Sequence, residues 1–212
     1  GDGGGGVKWR WEKRDGRFTR VAPVIEKMMA GATQIYSALY KQTPDYLPFH
    51  DNEAAGVNLL ASGAARQGCY PVAEYPVAKK TWEAVQNKYR ERPSTLKAKH
   101  LMRGRADLCV LHDSRYFSFE FKKTSERSNR QLGKRGLQSN LEYFHEYSVE
   151  EIDRVDDGEY DHIMAGIIAP VFEKTDETVL REFCHKVNLA TSIGSSKDGK
   201  VYFFFSSISM FG

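Results

Sequence analysis

Residues 162 to 172, HIMAGIIAPVF, form a nearly continuous apolar run. The run is shorter than the roughly 18 to 20 residues of a membrane span, yet too uniformly apolar for a strand with one wet face. It fits a strand covered on both sides, as in a parallel or mixed sheet between helices. An α/β organisation follows. With 212 residues and 41% hydrophobic content, the chain can bury a sizeable core as one domain with an appendage.

The rest of the chain supplies the partners that such a strand needs. Residues 1 to 50 read as a flexible Gly-rich tail followed by a helical extension, with Val24, Met28, Ile35 and Leu39 as the apolar face over 18 to 41. Residues 51 to 212 read as the main domain. Its first helix, DNEAAGVNLLASGAARQG, has Asp51 or Asn52 as its cap and Gly68 as its stop. CYPVAEYPV is a short strand-like run, and KKTWEAVQNKYRE, residues 79 to 91, suits a polar-faced helix. Strands then come from STLKAKHL, RADLCVL and YFSFEF, with turns at Arg103-Gly104 and Asp113-Ser114. Ser128 and Gln131 have capping-box spacing, opening a helix to Val149. Residues 176 to 190 continue as an amphipathic helix, and KDGKVYFFFSSI gives a turn and a last strand.

Within FSFEFKK, residues 117 to 123, side-chain alternation puts Phe117, Phe119 and Phe121 on one face and Ser118, Glu120 and Lys122 on the other. A lone acid and base two residues apart commonly mark only a solvated strand face. Asp107 changes that reading. A hairpin turn centred between Asp113 and Ser114 sets residue 107 opposite residue 120, with their Cβ atoms about 5 Å apart. Two carboxylates that close repel unless a proton or cation lies between them. A hard divalent ion meets that need, with oxygen ligands from one or two carboxylates, and Mg²⁺ suits phosphodiester hydrolysis with Lys122 alongside.

Ala106-Asp107 followed by Glu120-Phe121-Lys122 resembles the PD-(D/E)xK signature of restriction-endonuclease-like nucleases, with Ala in place of Pro. The order of elements is similar too: Glu53 in NEAAGVNLL, the strand CYPVAEYPV, GRAD at 104 to 107, EFK at 120 to 122, a helix, and HIMAGIIAPV. The resemblance covers roughly residues 50 to 172 and implies a restriction-endonuclease-like core, a central mixed β-sheet flanked by helices. It implies a Mg²⁺-dependent nuclease, with Mn²⁺ as a substitute, in which Asp107, Glu120, the Phe121 carbonyl and Glu53 hold the metal. Lys122 positions or activates the attacking water, and in-line attack leaves a 5′-phosphate. Gln138 and Tyr143 are five apart, which departs from the QxxxY spacing of the exonuclease branch. Glu74 and Glu83 are alternatives to Glu53.

Charge distribution bears on partners. Residues 97 to 135 hold eleven Lys or Arg against four acids, whereas residues 142 to 161 hold nine acids against Arg154 alone. Lys123, Arg127, Arg130, Lys134 and Gln138 form a candidate nucleic-acid-binding face, with DNA the favoured substrate. A catalytically inactive nuclease-like module that binds nucleic acid or a protein is the alternative, with the acidic segment as a protein contact. Cutting both strands of a duplex needs two sites, so a homodimer fits the nuclease reading. Three scattered cysteines without CxxC spacing, and a start without an apolar h-region, set the expectation of a soluble chain in a reducing, intracellular setting with no membrane partner.

Overall fold

The computed structural model describes residues 6–81, 101–155, 162–195 and 199–207, with the backbone alone for Leu101 and residues 127–134. In chain order the elements are β1 (Lys8–Arg14), α1 (Val21–Gln42), α2 (Glu53–Arg66), β2 (Tyr70–Lys80), β3 (Leu101–His112), β4 (Arg115–Lys123), α3 (Glu126–Asp153), β5 (His162–Pro170), α4 (Glu177–Phe183), β6 (Leu189–Gly194) and β7 (Val201–Ser206). Single 3₁₀ turns lie at Pro48–His50 and Cys184–Lys186.

The strands form one seven-stranded sheet in the order β1-β6-β7-β5-β4-β3-β2. Only β4 and β5 run parallel, joined through α3, and the other neighbours are antiparallel. The sheet is therefore mixed. Strand β5 lies at its centre, and every residue after His162 is buried, as its continuous apolar sequence requires.

Helices α1 and α2 cover one face, packing with Phe117, Phe119, Phe121, Leu108, Met164, Ile168, Phe203 and Phe205. On the opposite face, α3 and α4 meet Ile167, Ala169, Tyr202 and Phe204 through Leu137, Leu141, Leu180 and Phe183. Alternation within β5 and β7 divides these side chains between the two layers. Val21, Val24, Ile25 and Met28 of α1 belong to the same cluster as the sheet residues, and β1 is an edge strand of the sheet. Residues 8 to 42, read from sequence as part of an appended tail and extension, thus contribute to the main core.

Four elements differ from the sequence expectation. The turn expected at Arg103-Gly104 is continuous strand, both residues lying within β3 and pairing with Ala78 and Val77, while the strand expected from STLKAKHL lies outside the described residues as far as Leu101. The helix expected over 79–91 starts on residues that are strand, since Lys79 and Lys80 end β2 and pair with Met102 and Leu101. Its remainder, from 82 onward, lies outside the described residues. Pro71 and Pro76 are tolerated within β2 because it is an edge strand, where not every N–H is needed by a neighbour. The helix expected over 176–190 ends at Phe183, and Leu189–Gly194 becomes β6, paired on both sides by β1 and β7. Helix α3 starts at Glu126, so Ser128 lies inside its first turn rather than at a cap.

Helices α1 and α2 approach closely where Gly31 faces Gly63. A Cβ added at Gly63 would lie 2.6 Å from the Met28 carbonyl oxygen, and backbone cannot yield as a flexible side chain can. Gly63→Ala is expected to destabilise the fold by about 1 to 3 kcal/mol. At this chain length that is a fall in Tm of roughly 2 to 10 °C, checked by thermal denaturation.

Candidate functional site

The site is built on the β3–β4 hairpin. Asp113 and Ser114 both have positive φ, 49° and 59°, the conformation of a two-residue type I′ turn. Pairing runs from His112↔Arg115 to Leu108↔Phe119. Continued by one residue, this register sets Asp107 opposite Glu120, as the sequence arithmetic requires.

The regular ladder stops there because Asp107 is used differently. Its Oδ2 accepts a 2.7 Å hydrogen bond from the Phe121 backbone N–H, so a side chain supplies the acceptor that a strand carbonyl would otherwise provide. Strict alternation also fails around it: Ala106 and Cys109, three residues apart, share one cluster, while Leu108 and Val110 share another. Across β2, Ala73↔Leu108 and Tyr75↔Ala106 flank Glu74, whose φ of 54° is unusual for a residue with a side chain. The local irregularity turns the Asp107 carboxylate onto the backbone of β4.

Glu120 is 5% exposed, so its side of β4 is no solvated face. Burial, then the neighbouring Asp107, push its carboxyl up to about 8 against the opposing pull of Lys79. Lys79 Nζ donates to Glu120 Oε1 at 3.0 Å and lies 3.6 Å from Glu151 Oε2. Glu151 in turn pairs with Arg154 at 3.3 Å. Arg154 is fixed to β2 twice: its Nε donates to the Lys80 carbonyl, and its own carbonyl accepts from the Lys80 N–H, both at 2.8 Å.

Glu53 enters from the first turn of α2, whose cap is Asn52, the Asn52 side chain accepting from the Ala55 N–H at 2.8 Å. Burial raises the Glu53 carboxyl, with Lys122 lowering it and Asp107 raising it. The helix terminus thus brings a third carboxylate into the field of the hairpin pair. Lys122 lies with its ammonium 5.0 Å from the centroid of the Tyr147 ring on α3. The Phe121 ring is fully buried between Phe119 and Phe205, which anchors the strand that carries both Glu120 and Lys122.

The structure therefore brings Glu53, Asp107, Glu120 and Lys122 into one electrostatic neighbourhood. Among the described residues, no three His, Cys, Asp or Glu side chains converge tightly enough to form a ready metal cluster. What fits a cation is the charge: Asp107 and Glu120 are adjacent, and burial, then that proximity, holds Glu120 well above an ordinary carboxylate.

Sequence reasoning missed Lys79, Tyr147 and Glu151. Lys79 falls within the helix expected over 79–91, although Val77 and Lys79 continue the alternation of the strand. Glu74 is exposed and Glu83 lies outside the described residues.

The expected basic face is only partly visible. Lys123 is half-buried, and its Nζ donates to the Thr124 carbonyl at 3.2 Å. Gln138 is exposed and contacts Glu142, which pairs with Lys186. The side chains of Arg127, Arg130 and Lys134 lie outside the described residues. Phe203 to Phe205 are buried core, and Trp9 and Trp11 pack against it. All three cysteines are free and buried, and burial pushes the Cys184 thiol up to about 11. No helix among the described residues is long and apolar enough to cross a membrane.

The fold defines an α/β protein with a mixed sheet between helical layers. Searches of family models, curated proteins and solved structures give no match to the chain.

Proposed function

We propose that the protein is a metal-dependent nuclease with a restriction-endonuclease-like core, hydrolysing phosphodiester bonds in nucleic acid, with DNA the favoured substrate. The observation that carries this reading is the Asp107–Glu120 pair on adjacent strands, with Asp107 accepting from the Phe121 N–H and Lys122 on the same strand as Glu120; burial and then Asp107 push the Glu120 carboxyl up to about 8. Asp107, Glu120, the Phe121 carbonyl and Glu53 are the groups that would hold Mg²⁺ or Mn²⁺. The ion would supply a bound water of lowered pKa and positive charge near the phosphoryl oxygens. Lys122 would orient the attacking water and offset negative charge that develops at the phosphate. Tyr147, beside the Lys122 ammonium, limits the directions in which that side chain can point.

A second reading has its own support. Lys79 already pairs with Glu120, and a carboxylate satisfied by a lysine is compatible with a nuclease-like module that binds nucleic acid or protein without cutting.

The separating experiment incubates the protein with plasmid DNA, single-stranded DNA and RNA in Mg²⁺, Mn²⁺ or EDTA, beside Lys122→Ala. Cleavage is expected with either metal, absent in EDTA, and reduced about 10²- to 10³-fold in the variant. Cleavage that persists in EDTA would refute the mechanism, and binding without cleavage would favour the module.

A further inference from the structure

Lys79 is a buried cation held in a prepared position. It is 7% exposed, and its ammonium lies between carboxylates from two different elements, Glu120 on β4 and Glu151 on α3. Its stem crosses the facing strand where Gly104 stands: a Cβ there would come within 2.6 Å of Lys79 Cδ and 2.8 Å of Cγ. The absence of a side chain at 104 is what lets Lys79 lie along β3. Beyond it, Arg154 clamps Glu151, and an isolated antiparallel bridge joins Lys79 to Val155. The ammonium is therefore fixed from both ends of its side chain.

We propose that Lys79 is the site's resident second cation, so that the chain binds a single divalent ion, on the Asp107 side of Glu120. This rests on the metal-dependent reading above. Lys79 engages Glu120 Oε1, and Asp107 approaches the same carboxyl closely enough to hydrogen-bond it, a contact that a divalent ion held by both carboxylates would replace. A second divalent ion on Oε1 would have to share that oxygen with an ammonium already 3.0 Å away. Removing the lysine would turn its position into a gap flanked by Glu120 and Glu151, a pair of oxygen ligands of the kind divalent ions take.

The test counts Mn²⁺ bound to the full chain by electron paramagnetic resonance, taking as specific those ions whose binding is lost when Glu120→Gln is introduced into the same protein. One ion per chain is expected for the unaltered protein and for Lys79→Arg, and two for Lys79→Met. Two ions on the unaltered protein, or no gain in Lys79→Met with native circular dichroism, would overturn the assignment of Lys79 while leaving the metal site standing. The unaltered protein's count decides the matter even where Lys79→Met does not fold. No bound ion at all would overturn the metal-dependent reading itself, and this inference with it.

Discussion

Asp107→Asn is expected to abolish cleavage while leaving the fold in place, whereas Asp107→Ala should lose both activity and stability. The two substitutions separate two roles of one side chain. The β3–β4 ladder ends at Leu108↔Phe119, and the Asp107 carboxylate then accepts from the Phe121 N–H at 2.7 Å. Asn retains a side-chain oxygen that can accept that bond but carries no charge with which to hold a cation. Ala leaves the part-buried Phe121 N–H without its acceptor, at a cost of about 1 to 3 kcal/mol. The corresponding fall in Tm is roughly 2 to 10 °C. Loss of a preorganised charge at a reacting centre lowers turnover by about 10²- to 10³-fold, and both variants should show at least that. Nuclease rates with Mg²⁺ and thermal melts of the three proteins check the pattern. Asp107→Asn cleaving at close to the original rate would remove Asp107 from the mechanism.

Features dictated by local chemistry are legible in the residues themselves. The β3–β4 register follows from a two-residue turn and the period of two along a strand, so the proximity of Asp107 to Glu120 can be read from the residues alone. Strand β5 is legible for a similar reason, since an uninterrupted apolar run has to be covered on both faces. Long-range compensation is not legible. Lys79 and Glu120 are 41 residues apart, and nothing local in YPVAEYPVAKK states that its penultimate lysine is buried against a glutamate on another strand. Glu151 reads as one acid in an acidic run, yet its partners Lys79 and Arg154 withdraw it from solvent. Strand β6 is hidden because Val179, Phe183 and Val187 hold helical spacing through the 3₁₀ turn at 184–186, so the periodicity outlasts the helix. The order of the strands in the sheet, with β1 at the edge beside β6, rests on pairings between distant segments that no local pattern encodes.

The metal-free protein should become less stable as pH rises from about 5 to 8, and Glu120→Gln should flatten that slope. Glu120 has its folded-state pKa raised from 4.5 to about 8, chiefly by burial and then by Asp107. Between those values the native state holds a proton that the unfolded chain has released, so each step upward in pH favours unfolding. The stabilisation is whole below about pH 4.5 and is lost as pH passes through about 8. Its size is on the order of a few kcal/mol, which corresponds to a Tm change of about 10 °C across the window. Glu53, raised by burial, adds to the slope in the same direction. His50 and His145 act oppositely, because burial lowers their pKa and stability gained from their neutral forms grows as pH rises toward 6.5. The difference between the unaltered protein and Glu120→Gln isolates the Glu120 share from theirs. Mg²⁺ added at pH 8 should restore the lost Tm in the unaltered protein, because binding to the native state alone stabilises it by mass action. The Gln variant, neutral at every pH and a poorer ligand, should gain little. Parallel slopes for the two proteins, or an equal response to Mg²⁺, would show that Glu120 carries neither the buried proton nor the ion.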